Sequence, residues 1–302
     1  MYSINECVRY LDALGCEYQK DAPLMEYTSF RIGGAAQLLV MPSNMEQISQ
    51  IFSYCSTQQI PVYVLGKGSN VLVSDEGIDG VVILLSNQFS EISLEGEDVL
   101  VCEAGASLSK VCKFAEEHSL TGLEFAYGIP GTIGGAVYMN AGAYGGEMKE
   151  VVSSCVHVSP QGDLSECLGD ALDFSYRHSV YSENSNCIVT VRLQLSKGKR
   201  EEITGKMKDF LGRRKSKQPL EYPSAGSTFK RPVGNYASAL IDSCGLKGLR
   251  CGGAMVSTKH AGFIINADHA TSTDVEELIA LVKQLVYEKT GVQLEEEIKR
   301  IP

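Results

Sequence analysis

The stretch EYPSAGSTFKRP, residues 221–232, sets Ser227 between Gly226 and Thr228, with Lys230 and Arg231 close behind. A serine so placed can be a nucleophile, a phosphate ligand, a proton donor or a turn residue. The nucleophile elbow G-x-S-x-G is absent, because Ala225 and Phe229 stand where its glycines belong. That disfavours the nucleophile and leaves the other three open. DFSYRHSVYS (173–182) places Arg177 among aromatic and hydroxyl residues. There a guanidinium can clamp a carboxylate through paired hydrogen bonds, or act as a surface ion-pair partner. Arg213, Arg214, Lys215, Lys217, Lys230 and Arg231 crowd positive charge into a short span, which suits a diphosphate and equally a solvated helix end. GVQLEEEIKR (291–300) carries three successive glutamates. By strand alternation Leu294, Glu296 and Ile298 share one face, and Glu295, Glu297 and Lys299 the other.

Two glycine-rich stretches add a second kind of chemistry. In VLGKGSNVLVSD (64–75), Gly66-Lys67-Gly68-Ser69-Asn70 follows a strand-like run, and converging backbone N–H groups in such a turn form a nest for phosphate. It is neither a dinucleotide fingerprint, since Val71 occupies the third glycine position, nor a Walker loop, since the lysine is misplaced. A plain tight turn fits the stretch as well. GLEFAYGIPGTIGGAVYMNAGAYGGE (122–147) is too dense in glycine for a strand and is interleaved with apolar and aromatic residues. Backbone pressed against something large and flat explains it better than a structural loop.

The elements that must position these residues follow from apolar spacing. Ile4, Val8, Leu11 and Leu14 predict an N-terminal helix; Ile48, Ile51, Phe52 and Cys55 predict another, and LSKVCKFAEEHSL (108–120) a third. Short β-branched runs separated by polar turns fill most of residues 60–195, a mixed α+β pattern without the regular alternation of a doubly wound sheet. The polar connector SKGKREE (196–202) is the expected boundary, followed by a basic helix. In TSTDVEELIALVKQLVYEKTG the expected capping box is Thr273 with Glu276, and Val275, Leu278, Ile279, Val282, Leu285 and Val286 form one apolar face ended by Gly291.

Composition narrows the function classes. The 302 residues suffice for two domains, and 27 basic against 37 acidic residues give a net charge of −10, against general nucleic-acid binding. An anionic ligand must therefore be held by a local basic cluster. The N-terminal stretch lacks a signal-peptide pattern and no apolar run reaches membrane-span length, so a cytoplasmic protein without membrane association is expected. Ten scattered cysteines without a CxxC pair predict reduced thiols, and five histidines without HExxH predict no metal site.

Taken together, TSFRIGG, GKGSNVLVSD, GLEFAYGIPGTIGGAVYMNAGAYGGE, YRHS, AGSTFKRP and GVQLEEEIKR, in this order from about residue 28 to the end, resemble the UDP-N-acetylenolpyruvoylglucosamine reductase (MurB) family of peptidoglycan synthesis. The resemblance implies an α+β fold: a two-lobed FAD-binding domain of the vanillyl-alcohol-oxidase (PCMH) type and a smaller α/β substrate-binding domain. The implied division is an N-terminal helix at 1–23, an FAD-binding domain at 24–196 split near 86, a substrate domain at 200–290, and a terminal strand at 291–302 returning to the FAD domain. The implied reaction uses NADPH to reduce FAD, which then reduces the enolpyruvyl ether of UDP-N-acetylglucosamine. Both halves share one site.

Carried over residue by residue, the resemblance makes Arg177, Ser227 and Glu297 catalytic, with Ser227 as proton donor. The implied FAD contacts are Arg31, Gly66, Lys67, Gly68, Ser69, Asn70 and Val71, then Gly128, Ile129, Pro130, Gly131, Thr132, Gly134 and Gly135, and finally Asn140, Gly142 and Ala143. Tyr176, Arg214, Lys217 and Lys230 would contact the substrate, and no metal, nucleic acid or protein partner is implied for what is expected to be a monomer. Three features depart from the pattern. Ile298-Lys299 stands where the family usually has Val-Arg, the glutamate run admits Glu295 as an alternative to Glu297, and the extra substrate-domain loop of longer members is missing, as in the shorter subtype. A flavoprotein oxidase of the same fold would share the glycine loops but have no use for Ser227, Arg177 and the basic run together. A non-catalytic nucleotide-sugar binder would stay colourless.

Overall fold

The apolar spacing in the first part of the chain produces the helices it predicts. In the computed structural model, which describes residues 2–302, α1 (Ile4–Leu14) buries Cys7, Val8 and Leu11. α2 (Met45–Thr57) buries Ile48, Ile51, Phe52 and Cys55, and Asn44 caps it by accepting from the Gln47 amide. α3 (Leu108–Glu117) buries Leu108, Val111, Cys112 and Ala115. α4 (Ile133–Tyr138) is a short helix inside the second glycine-rich stretch, and α5 (Arg200–Lys217) is a long polar one.

Two compact units interleave along the chain. The first comprises the residues up to Lys20, Leu38–Lys67 and Gly80–Arg213; the second comprises Asp21–Gln37, Gly68–Asp79 and Arg214–Pro302. The polar connector at 196–202 is not where they part: Ser196–Lys197 pairs with Leu120–Thr121, and the division falls between Arg213 and Arg214 inside α5. Polarity marks an exposed segment, not necessarily a boundary, and a helix can carry the chain across one.

The first unit is built on a five-stranded antiparallel sheet in the order Leu164–Leu168, Val152–Val158, Cys187–Gln194, Val99–Glu103, Ile92–Glu95. One continuous core, including Leu38, Ile51, Leu100, Val111, Ile133 and Val191, fills this unit. The second unit has its own core, in which Phe30, Leu72, Phe229, Leu278, Val282, Leu294 and Ile298 meet. It contains α6 (Ala237–Ser243), α7 (Ser272–Thr290), an antiparallel sheet in the order Arg250–Cys251, Ala254–Val256, Ile264–Asn266, and a parallel pair of Val71–Val73 with Lys299–Ile301. Both units combine helices with sheets, and the α+β expectation holds.

α7 starts two residues earlier than the sequence reading placed it. Its capping box is Thr271 with Asp274: the Asp274 amide donates to Thr271 Oγ1 at 3.0 Å, and Asp274 Oδ2 accepts from the Thr271 amide at 3.0 Å. TSTDVEE offers two overlapping boxes, and tertiary bonds choose between them. Ser272 gives both its amide and its hydroxyl to Asp75 Oδ2 at 2.8 Å, and the Gly253 amide donates a second hydrogen bond to Asp274 Oδ2 at 3.1 Å. The amides of Thr271 and Gly253 hold the Asp274 carboxyl below its usual range. The apolar face of the helix is as expected, with Val275, Leu278, Ile279, Val282 and Val286 buried.

All ten cysteines are free thiols, eight of them buried. Among the described residues no helix is long and apolar enough to cross a membrane. The capping box supplies a test of the second unit's cohesion. Thr271→Ala should lower stability by about 1 kcal/mol, read as a shift in the urea midpoint with an unchanged slope. Thr273→Ala should move it far less.

Candidate active site

The two glycine-rich stretches meet in the first unit. A Cβ on Gly66 would lie 2.5 Å from Thr132 Oγ1, so this close approach admits only glycine. Thr132 is buried and caps α4, its hydroxyl accepting from the Gly135 amide. The backbone around them leaves donors over. Among the described residues, the amides of Gly66, Lys67, Gly68, Ser69 and Asn70 reach no acceptor in the chain, nor do those of Gly128, Gly131 and Thr132. Gly68 has φ +57°, the left-handed conformation that turns successive N–H groups to one side. Within the first unit, the amides of Gly66, Lys67, Gly128, Gly131 and Thr132 are donors of the kind that a diphosphate-bearing cofactor such as FAD accepts from. Not every glycine serves a ligand: a Cβ on Gly134 would sit 2.8 Å from that of Ala104, so the protein's own packing accounts for it.

Downstream, Gly142–Ala143 pairs with Gly146–Glu147 in a small hairpin. Arg177, with φ +56°, donates from Nη2 to the Gly142 carbonyl at 3.4 Å, and its guanidinium lies 5.1 Å from the ring centre of Tyr176. Asn140 is wholly buried. Its side chain donates to Glu147 Oε2 and the Ser175 carbonyl, both at 2.9 Å, and accepts from the Lys149 amide. It therefore braces the hairpin against the Arg177 loop. Arg31, Asn140 and Arg177 all have positive φ, which costs roughly 1–3 kcal/mol each and marks positions where geometry outweighs local comfort.

The second unit holds Ser227 and Glu297 on paired segments. Phe229 bridges Glu296 in antiparallel fashion, the Glu297 amide donates to the Thr228 carbonyl at 2.8 Å, and the Lys230 amide donates to the Glu295 carbonyl at 2.8 Å. Leu294 and Ile298 point into the core, which fixes the parity of the run as the alternation predicts. The three glutamates are sorted by their partners. Glu295 lies 3.5 Å from Lys230 and is three-quarters exposed, whereas Glu296 accepts from Lys283 at 3.2 Å and Arg300 at 3.0 Å. Glu297 is half-buried on the opposite face from Leu294 and Ile298. Asn70 adjoins the same segment: its Nδ2 donates to the Glu297 carbonyl at 3.2 Å and its carbonyl accepts from the Lys299 amide at 2.9 Å.

The cationic residues have separate partners within the chain. Arg213 belongs to the first unit, where it pairs with Asp209 at 2.7 Å. Arg214 is buried and donates to Gln218, Lys217 is exposed at the end of α5, and Lys230 faces Glu295. Arg231 lies over the Tyr236 ring. Residue type together with the family resemblance singled out Ser227 and Glu297. The role of Ser29, in the quoted TSFRIGG, was not visible: it shows only in bonds to residues far away in sequence.

Comparison with known proteins places this arrangement in a class, the FAD-binding oxidoreductases of α+β fold. The FAD-binding domain family matches residues 36–168, and the C-terminal domain of UDP-N-acetylenolpyruvoylglucosamine reductase matches residues 218–301. A UDP-N-acetylenolpyruvoylglucosamine reductase of Syntrophomonas wolfei is 48% identical over 277 residues, 92% of each chain. UDP-N-acetylenolpyruvoylglucosamine reductase 2 of Bacillus cereus is 44% identical over 301 residues, 99% of this chain and 98% of the other. The crystal structure of the Thermus caldophilus reductase superposes with a TM-score of 0.81 at 36% identity, covering 95% of this chain and 99% of that one. The chain belongs to the UDP-N-acetylenolpyruvoylglucosamine reductase (MurB) family.

The Gly66 contact is directly testable. Gly66→Ala should overpack the turn against Thr132 by roughly 1–3 kcal/mol. FAD titrated into the apo-protein should then bind about tenfold more weakly or worse. Unchanged FAD affinity would detach this turn from cofactor binding.

Proposed function

We propose that this protein is the NADPH-dependent reductase of UDP-N-acetylenolpyruvoylglucosamine, giving UDP-N-acetylmuramate, and that it works as a monomer. The reading is supported above all by one observation: the Ser227 and Glu297 segments are hydrogen-bonded to each other, and the Glu297 segment is bonded in turn to Asn70 of the glycine turn. The chemistry supplied by bound FAD is two-electron transfer, taking hydride from NADPH and delivering it to the vinyl methylene carbon of the enolpyruvyl ether.

The protein's own residues handle the charge and the proton. Hydride addition leaves a carbanion next to the substrate carboxylate, delocalised as an enediolate, and prearranged donors lower its energy. Arg177 supplies a guanidinium to the carboxylate oxygens. Glu297 supplies its carboxyl, which donates an O–H to the same oxygens when it carries a proton. The carbon adjacent to the carboxylate then takes the Ser227 hydroxyl proton, completing the lactyl ether. A hydroxyl is a weak acid, but this carbanion is a strong enough base to accept from it.

Lys217, exposed at the end of α5, and Lys230 provide positive charge for the UDP diphosphate, and Tyr176 flanks Arg177 on the substrate side. Buried Arg214 serves this role through its position at the helix end. Arg31 and the amides of the two glycine stretches hold the FAD. In a chain of net charge −10 these local donors are what make dianionic ligands tolerable.

The proton assignment predicts a split between the half-reactions. Ser227→Ala should leave flavin reduction by NADPH nearly intact and slow reoxidation by the enolpyruvyl substrate about 10²–10⁴-fold, measured anaerobically by stopped-flow absorbance. Equal losses in both would make Ser227 a binding residue.

A further inference from the structure

The second unit contains a closed circuit of hydrogen bonds that passes through the segments carrying Ser227 and Glu297. The Thr228 carbonyl accepts from the Glu297 amide, the Glu297 carbonyl accepts from Asn70 Nδ2, and Asn70 belongs to the same turn as Gly68. From Gly68 the circuit returns through one residue, Ser29. The Ser29 amide donates to the Gly68 carbonyl at 3.1 Å, and the Ser224 amide donates to the Ser29 carbonyl at 3.1 Å. The Ser29 hydroxyl faces both neighbours, 2.7 Å from the Ser224 carbonyl and 3.3 Å from that of Gly68. Ser224 precedes Ser227 by three residues, with Gly226, at φ +76°, between them.

Most of these links are main-chain bonds that any residue would make. Side chains close the circuit at only two places, Asn70 and Ser29. At the Ser29 link a short hydroxyl bond ties the start of the Ser227 loop to a segment that holds the glycine turn. A carbonyl in a half-buried turn that loses its donor has either to recruit water or to shift, and Ser224 is the carbonyl at stake. The left-handed Gly226 between Ser224 and Ser227 gives the loop little intrinsic resistance to such a shift.

We infer that Ser29 is a positioning residue for the proton transfer: its hydroxyl fixes the loop bearing Ser227 relative to the glycine turn at Gly68–Asn70. Ser29 touches neither substrate nor reacting atoms; it acts through Ser224. The inference rests on the reading of Ser227 as proton donor and on the turn as the cofactor's seat. It follows that loss of the hydroxyl should disturb protonation far more than hydride uptake from NADPH. A displacement of the order of 1 Å at a reacting group can cost about 100-fold.

The test uses the flavin-loaded enzyme and, separately, the flavin-free chain. In Ser29→Ala, reoxidation by the enolpyruvyl substrate should slow about 10- to 100-fold while reduction by NADPH stays nearly unchanged. The solvent deuterium isotope effect on reoxidation should rise, because proton transfer becomes more limiting. Ser29→Thr, which keeps the hydroxyl, should recover most of the rate. In the flavin-free chain, amide hydrogen exchange should accelerate at Ser29 and Ser224, whose amides donate to the Gly68 and Ser29 carbonyls, in the alanine variant and not at the Ala254–Val256 sheet. If Ser29→Ala loses its flavin, Ser29→Cys, similar in size with a weaker donor, takes its place in the same comparison. Equal slowing of both half-reactions, an unchanged isotope effect, or unchanged exchange at those two amides overturns the positioning role. A wild-type enzyme whose reduced flavin the enolpyruvyl substrate does not reoxidise would instead overturn the functional reading, and this inference with it.

Discussion

The antiparallel pairing of the segment 227–230 with the segment 295–297 is the constraint on which the second unit depends. It consists of the bond from the Glu297 amide to the Thr228 carbonyl and the bond from the Lys230 amide to the Glu295 carbonyl, both 2.8 Å. Each adds only about 1 kcal/mol net to stability. Their importance lies in register: with side chains alternating, a slip of one residue would send Ile298 outward and Glu297 into the core. Buried Leu294 and Ile298 on one segment, and Thr228 and Phe229 on the other, make that slip expensive. Thr228 is anchored further, its amide donating to the Gly262 carbonyl and its hydroxyl accepting from the Ile264 amide. Hydrophobic burial thus sets the positions of the polar side chains next to it.

The same division of labour recurs in the first unit. Thr132 caps α4 and packs against Gly66, so a helix cap and a glycine turn are set by a single buried side chain. Asn140 spends its side chain on Glu147, Ser175 and Lys149, joining the hairpin to the loop that carries Arg177. Arg177 itself stays in a left-handed conformation that a residue of its type adopts only when its surroundings enforce it. Arg177, Ser227 and Glu297 are each half-buried, and residues next to them, Asn140, Thr228 and Phe229 among them, are buried.

How much of this the sequence reveals depends on the range of the interaction. The faces of α1, α2 and α7 are local periodicities and are legible, as is the alternation that buries Leu294 and Ile298. The start of α7 is not, because two capping boxes overlap and the choice is made by Asp75, 197 residues from Ser272. The parting of the units inside α5 is invisible for a similar reason: no local signal marks Arg213 as different from Arg214. Ser227 and Glu297 were identifiable by residue type and family resemblance. Ser29 was hidden, since a serine in TSFRIGG gains meaning only from its bonds to Gly68 and to Ser224, 195 residues on.

The account stands on this protein carrying hydride from NADPH to an enolpyruvyl ether and supplying the one proton from its own side chain. A single anaerobic turnover tests it: FAD-loaded wild-type protein is bleached with one equivalent of NADPH, then mixed with UDP-N-acetylenolpyruvoylglucosamine. Return of the oxidised flavin spectrum together with one equivalent of the lactyl ether by mass spectrometry is the predicted result. A flavin that stays reduced, or that reoxidises without formation of the lactyl ether, would contradict it.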